Sequence, residues 1–381
     1  MNITIERAAL LRSLSHVQSV VERRTTIPVL SNVLLTAAGD KLSLTATDKD
    51  LEIVEAVPAT VVRAGSITAP AHTLYEIVRK LPDGTQIVLD YSGDSSQLIL
   101  RSGRSQFKLG CLPIDDFPQM SGGDLHHRFE IAAADLRSLI DRTRFAISTE
   151  ETRFYLNGIY FHASRTVIPG TVPGACDLPV LRAVATDGHR LARVEIPLPE
   201  GAANIPGVII PRKTVIEVRK LIDEAAASIE ISLSETKIRF AFDTVTVVSK
   251  LIDGTYPDYE RVIPLGNDKI MDVKAKTFAA SVDRVSTLTT EKSRAIKLSL
   301  KHNTATLSVT SPEAGSATEE LEVKYNGPPL DIGYNSRYLM EIAQQISGDE
   351  ARFIIADAAA PTIVRDVSDG SVLYVIMPMR V

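Results

Sequence analysis

The chain has 381 residues, 44% apolar, 23% charged and 5% aromatic, the composition of an ordinary globular protein. Its 42 Lys and Arg against 47 Asp and Glu leave a formal net charge of −5, which disfavours a nucleic-acid binder that draws its affinity from a basic balance. The length predicts two or three domains at roughly 100–200 residues each. No stretch reaches the ~18 apolar residues of a membrane span, and Met1–Leu11 lacks a secretory leader pattern, so a cytoplasmic protein with no membrane partner is expected.

In chain order, Ala8–Val20 carries Leu10, Leu11, Leu14, Val17 and Val20 at the i, i+3, i+4 spacing of an amphipathic helix. Alternation predicts half-buried strands over Val29–Thr36, Lys41–Thr47 and Leu51–Pro58. The pattern then restarts with a helix at Ala71–Leu81, stopped by Pro82-Asp83-Gly84, and strands near Gln86–Asp90, Gln97–Ser102 and Ser105–Cys111. Further helices are predicted near Ala133–Ala146, Arg212–Ala225, Ala275–Leu288 and Ser336–Ile346. Ser164–Pro179, with three prolines and two glycines, reads as a long inserted loop. Cys111 and Cys176 lack CxxC spacing and read as buried free thiols, with neither a disulfide nor a zinc site.

The chain also repeats itself. Ala46-Thr47-Asp48-Lys49-Asp50-Leu51 returns as Ala185-Thr186-Asp187-Gly188-His189-Arg190-Leu191, and Asp116-Phe117-Pro118 as Thr255-Tyr256-Pro257, both at a spacing of 139. Pro70–Ile77 resembles Pro211–Val218, with a weaker copy at Asn335–Ile342, and Leu42–Thr45 is echoed by Leu307–Thr310. Three units follow, 1–122, 128–256 and 257–381, each of two helices with antiparallel strands. The fold class read from this is α+β, three repeated domains with helices packed on antiparallel sheets.

Catalytic signatures are missing: there is no Gly-x-Gly-x-x-Gly, Walker loop, Gly-x-Ser-x-Gly or His-Glu-x-x-His. Asp187 and His189 could form half of an acid–base pair, which leaves a hydrolase as one alternative. The repeat partner Asp48-Lys49-Asp50 lacks the His, so a turn is favoured, with the Asp side chain bonding local backbone and Gly188 relieving φ. Asp115, Asp116 and Asp124 read as turn and boundary residues rather than metal ligands, and no cofactor is expected. A monomeric peptide-binding scaffold is the second alternative.

From Ile3 to Val381 the sequence resembles the bacterial DNA polymerase III beta subunits, the sliding clamps. The motifs carrying this are Thr26-Ile27-Pro28-Val29-Leu30, Leu100-Arg101-Ser102-Gly103-Arg104-Ser105, Tyr155-Leu156-Asn157-Gly158, Ala185–Ala192, Pro257-Asp258-Tyr259-Glu260-Arg261-Val262 and Tyr374–Val381. The resemblance implies a DNA-clamp fold forming half of a head-to-tail homodimeric ring around duplex DNA, with no enzymatic activity of its own. It also implies partners: the DNA polymerase III alpha subunit, a clamp loader complex, and other polymerases and repair proteins carrying short clamp-binding motifs.

The resemblance further implies three sites. A partner-peptide cleft would be lined by Leu156, Thr186, Gly188, His189, Arg190, Leu191, Pro257, Arg261, Val262, Val375, Met377, Pro378, Met379 and Arg380, where adaptable Met side chains suit a groove for short motifs. DNA contacts would fall to Arg24, Arg153, Phe154, Tyr155, Arg212 and Lys213, and Arg79, Lys80, Arg137, Arg142, Arg219 and Lys220 lie on helices that could face the DNA. A dimer seam would use Phe107, Leu109 and Leu288, with Arg101, Arg104 and Lys108 on a strand 101–108 facing Glu313, Glu319, Glu320 and Glu322 on a strand 313–322. Gln106 and Thr287 depart from the family pattern there.

Overall fold

The structure, a computed structural model, describes all residues except 94–95, 121–122, 168–176, 225–226, 291–293, 313 and 381. The first repeat runs β1 (Asn2–Glu6), α1 (Arg7–Val17), β2 (Asn32–Ala38), β3 (Lys41–Thr47), β4 (Leu51–Pro58), β5 (Thr60–Arg63), β6 (Gly65–Pro70), α2 (Ala71–Lys80), β7 (Gln86–Asp90), β8 (Gln97–Ser102) and β9 (Ser105–Gly110). The central repeat runs β10 (His127–Ala132), α3 (Ala133–Asp141), β11 (Gly158–Val167), β12 (Asp177–Thr186), β13 (Arg190–Pro197), β14 (Val208–Pro211), α4 (Arg212–Ile222), β15 (Ser228–Leu233), β16 (Lys237–Ala241) and β17 (Val245–Lys250). The third runs β18 (Lys269–Lys274), α5 (Ala275–Ser286), β19 (Ala295–Lys301), β20 (Thr304–Ser311), β21 (Gly315–Glu322), β22 (Lys324–Tyr325), β23 (Leu330–Asn335), α6 (Ser336–Ala343), β24 (Glu350–Ile355), β25 (Thr362–Asp366) and β26 (Val372–Ile376).

Among the described residues one half-unit therefore occurs six times: a short strand, a helix, then a three-strand antiparallel meander. Its physics is plain in β3, where Leu42, Leu44 and Ala46 are fully buried while the residues between them are not, the alternation of a sheet covered on one face. The helices supply the cover. In α1, Leu10, Leu14 and Val17 are completely buried, and α5 does the same with Phe278 and Val282. Removing one such side chain, as in Leu14→Ala, leaves a cavity worth about 2–5 kcal/mol.

Two compact bodies hold these elements. Met1–Arg137, Pro199–Pro206 and Lys213–Leu251 form one; Ser138–Leu198, Gly207–Arg212 and Ile252–Val381 form the other. The first contains a five-stranded sheet, β5-β1-β7-β8-β9, and an eight-stranded sheet, β10-β15-β16-β17-β4-β3-β2-β6. The second contains a nine-stranded sheet, β14-β11-β12-β13-β26-β25-β24-β18-β22, and a four-stranded sheet, β21-β20-β19-β23. Successive repeats are joined through the third strands of their meanders, β17 on β4 and β26 on β13. The third strands β9 and β21 are left as open sheet edges.

Several sequence expectations are corrected. Ser164–Pro179 is not a loop over its described part: Ser164–Val167 continue β11 and Asp177–Pro179 begin β12, in register from Ser164↔Val180 to Val167↔Asp177. β13 pairs with β12 only from Val180 onward, so Pro179 falls where the ladder is one-sided and its missing N–H is tolerated. Residues 168–176, including Cys176, lie outside the described residues, as do Glu313 and Ala225. The segment at Val29 starts as a 3-10 turn over Pro28–Ser31, with Pro at its first turn, and becomes strand only at Asn32. α3 stops at Asp141, where buried Thr143 bonds back to the Leu139 carbonyl at 2.5 Å and a separate 3-10 turn follows at Arg144–Ala146. The expected strand 101–108 is the end of β8 and the start of β9, divided by a two-residue turn with Gly103 at φ 56°. Cys111 is a buried free thiol, and burial pushes its pKa up. No described helix is long and apolar enough to cross a membrane.

Candidate functional site

The repeated Thr-Asp motif builds a tight turn twice. Asp187 Oδ1 accepts the backbone N–H groups of His189 (2.9 Å) and Arg190 (3.0 Å), with Gly188 at φ 86°. In the first repeat Asp48 Oδ1 accepts those of Asp50 (2.9 Å) and Leu51 (2.7 Å), with Lys49 held at φ 81°. The carboxylate is a turn-former in both copies.

The turn delivers β13 to the centre of the nine-stranded sheet. Leu191 stands opposite Val375 of β26, and Val375 opposite Ile363 of β25, so one cross-strand row is apolar. These three pack with Leu156, Val184, Tyr256 and Tyr259 into a single buried cluster. Close to its members in the chain are exposed apolar side chains, Val262 at 49%, Met377 at 38% and Met379 at 38%. The last residues are tied down by backbone: the Met377 N–H donates to the His189 carbonyl at 2.9 Å and the Met379 N–H to that of Gly333 at 2.7 Å. Thr186 is buried, with its hydroxyl on the Arg190 carbonyl at 2.7 Å. Pro257 and Arg261 are exposed, Arg261 pairing with Asp258 at 2.7 Å; Gly188, His189 and Arg380 are also exposed and Pro378 is half-buried.

Sequence reasoning missed what holds the Pro257–Val262 segment in place. Tyr256 stacks flat on Tyr160 at 4.8 Å, and the Tyr259 hydroxyl accepts from buried Arg182 at 2.7 Å. Arg182 also donates to Glu195 at 2.8 Å, Glu260 at 2.7 Å and the Arg165 carbonyl at 3.1 Å. The signal was Arg182 and Glu195, placed as direct neighbours by the β12–β13 register, which cannot be read before the pairing is known.

Arg190 faces away from Leu191. One residue before Leu191, it projects from the opposite side of the strand. There its guanidinium lies 4.3 Å over the Tyr338 ring and 5.0 Å from that of Phe145, pairs with Glu341 and Asp187, and donates to the Phe145 carbonyl. It is 6% exposed, a residue holding α6 to the sheet rather than part of the apolar floor. The cavity beside it, about 400 Å³, is polar and is lined among others by Arg144, His189, Arg212 and Arg337.

The residues expected to touch DNA differ in how free they are. Arg24 and Arg212 are exposed, and Phe154 is 51% exposed with Tyr155 edge-on at 5.8 Å. Arg153 is clasped by Glu150 at 2.7 and 2.8 Å. Lys213 is committed within its own body, to Asp48 and to the Val20 carbonyl at 3.1 Å. Arg142 falls just past α3 rather than on a helix, and all six cations named from the sequence carry ion-pair partners: Arg79 and Lys80 with Glu76, Arg137 and Arg219 with Asp223, Arg142 with Asp369, Lys220 with Glu217.

At the open edges, Leu109 is buried and Phe107 half-buried on the covered face of β9, and Leu288 is half-buried just past α5. Arg101 lies on β8, donating to Gln106 at 3.0 Å, and Arg104 is exposed in the turn. On β21, Glu320 points outward; Glu319 points inward, where Arg284 and the Ser281 hydroxyl hold its carboxyl below the usual range.

Three family models cover the chain in order: the N-terminal domain of the DNA polymerase III beta subunit matches residues 1–121, the central domain 130–258 and the C-terminal domain 260–380. The chain is 54% identical over 381 residues to the beta sliding clamp of Caulobacter vibrioides and 33% identical over 381 residues to that of Escherichia coli K12, with both chains fully covered each time. Among solved structures, a Caulobacter crescentus beta sliding clamp with PEG bound superposes with a TM-score of 0.95 at 53% identity, covering 100% of this chain and 99% of that one. A Bartonella birtlesii clamp bound to griselimycin gives 0.94 at 50% identity, with full coverage of both. The chain belongs to the DNA polymerase III beta subunit family, the beta sliding clamps, which serve DNA replication as non-catalytic processivity factors.

Proposed function

We propose that two copies of this chain pair head to tail into a ring around duplex DNA, and that short motifs of replication and repair proteins dock in the Leu191–Val375 cleft to ride on it. The observation that carries the ring is the fate of the third strands. Within the chain β4 takes β17 and β13 takes β26, while β9 and β21 each keep, among the described residues, one side without a strand partner. A second copy supplies the missing partner for each, and pairing β9 of one with β21 of the other twice closes the assembly and removes every such edge. Glu320 and Glu322 along β21 and Arg104 and Lys108 at β9 bring opposite charges to that seam.

The apolar floor with its Met lip fits extended peptides of the DNA polymerase III alpha subunit, the clamp loader and other clamp-binding polymerases and repair proteins. Tethering then needs no strong affinity for phosphate, because departure from DNA requires a broken seam. The test is retention. Loaded onto nicked circular DNA, the protein is expected to stay through gel filtration and to be lost once a single cut linearises the circle. Equal loss from circular and linear DNA overturns the ring.

A further inference from the structure

On the sheet face that carries Leu191 and Val375, the adjoining register positions are charged. β13 presents Leu191, Arg193 and Glu195 to that side, and β25 presents Ile363 and Arg365, since side chains two apart along a strand share a face. Arg193 stands opposite Leu373 of β26, in the row next to Leu191–Val375–Ile363, and Arg365 stands opposite Arg352 of β24. With Arg182, four arginines share this stretch of sheet.

Two of them are neutralised. Arg182 holds Glu195 and Glu260, and Arg352 grips Asp272 through two bonds of 2.7 and 2.8 Å. The other two keep N–H groups without an acceptor. Arg193 Nε lies 3.3 Å from Glu195, whose Oε1 Arg182 already holds at 2.8 Å, and this approach is not a hydrogen bond. The Arg365 side chain has no hydrogen bond or ion pair among the described residues, and the Nε atoms of both are buried without an acceptor. Burial, together with the charges of Arg182 and Arg365, lowers the pKa of Arg193 even against Glu195. Buried guanidinium N–H groups without acceptors, beside like charge, are costly to keep. They suit an incoming oxyanion, and the planar guanidinium fork matches a carboxylate.

We propose that Arg193 and Arg365 form a carboxylate subsite for the docked peptide, taking an Asp or Glu that flanks its apolar anchor. The proposal rests on the peptide-docking reading of the cleft and names a specificity determinant within it. The occupant follows from continuity: the arginine row lies one side-chain repeat, about 6.5–7 Å, along the sheet from the Leu191–Val375 row, the reach of two residues of an extended peptide.

The probe is a labelled peptide carrying the clamp-binding segment of the DNA polymerase III alpha subunit, with its flanking residues made either Glu or Gln, titrated by fluorescence anisotropy against the full chain. The Glu-flanked form is expected to bind about tenfold more tightly, the worth of one charge-assisted bond. Arg193→Gln with Arg365→Gln is expected to abolish that preference while leaving the Gln-flanked affinity unchanged, which shows the cleft intact. Arg365→Glu is expected to favour a Lys-flanked peptide instead. Equal binding of both forms by the unmodified chain, or a preference that survives the double substitution, overturns the subsite alone. Binding of neither form overturns the cleft reading and the subsite with it.

Discussion

His16 sits on α1 with Nδ1 at 2.8 Å from Glu55 and Nε2 at 3.0 Å from Glu224. Burial works against its charge, but the hydrogen bonds and charges of Glu55 and Glu224 prevail and hold the imidazolium above its ordinary value of 6.5. A raised pKa means that the folded state binds the proton more tightly than the unfolded chain. The resulting stability is complete below about pH 6.5 and is lost as pH climbs through the folded value. His16→Gln is therefore expected to be less stable by about 1.5–3 kcal/mol at pH 6, with the gap closing by pH 9. Urea unfolding at the two pH values measures this, and a gap that stays constant removes the imidazolium from the account. Single positions also show where reading a motif stops. His189, Arg190 and Leu191 are contiguous in the family signature, yet Leu191 joins the apolar floor, Arg190 is buried against Tyr338 on the opposite face, and His189 is exposed. The motif named all three; only the strand's alternation separates them.

Among elements, legibility followed the period of the side chains. Lys41–Thr47, Leu51–Pro58, Gln86–Asp90 and Gln97–Ser102 have the bounds the sequence predicts, because turn residues stand beside each and the buried positions of all but the start of Leu51–Pro58 alternate. The short strands that open each half-unit, such as Asn2–Glu6 and Gly65–Pro70, run straight into a helix with no intervening turn, so the period changes between adjacent residues and leaves no mark. The edge role of β9 was legible only through resemblance, since openness is a property of the pairing. That role can be tested at the backbone. In the two-residue hairpin closed by Ser102 and Ser105, the bonded pairs fall at Phe107 and Leu109, which turns the N–H of Lys108 away from β8. Lys108→Pro removes that outward donor and leaves the β8–β9 ladder in place. The expected result is a folded monomer at micromolar concentration by sedimentation velocity, with Tm lowered by the lost association. A dimer that persists means β9 does not form the seam.

For the whole molecule, a net charge of −5 disfavours a nucleic-acid binder that relies on a basic balance, and the ion pairs bear on how that total is read. The six cations named from the sequence are balanced within their own body by Glu76, Asp223, Glu217 and Asp369, so their charge is partly spent before any phosphate arrives. A protein that encircles its target is served by that restraint, because many phosphate contacts would resist sliding. The salt dependence should show it. Each phosphate contact contributes about 0.9 to the slope of log affinity against log salt. Arg24 has no ion pair among the described residues, whereas Arg153 already holds Glu150 at 2.7 and 2.8 Å. Arg24→Gln is therefore expected to reduce the slope by about one, and adding Arg153→Gln to reduce it by less than one more. Retention on circular DNA should be unchanged in both variants, since retention depends on the closed seam and not on these contacts. Binding to short duplexes measured across salt concentrations, alongside retention on nicked circles, separates the two quantities. An unaltered slope denies Arg24 a phosphate, and loss of circular retention in the double variant means that charge, not closure, holds the protein on DNA.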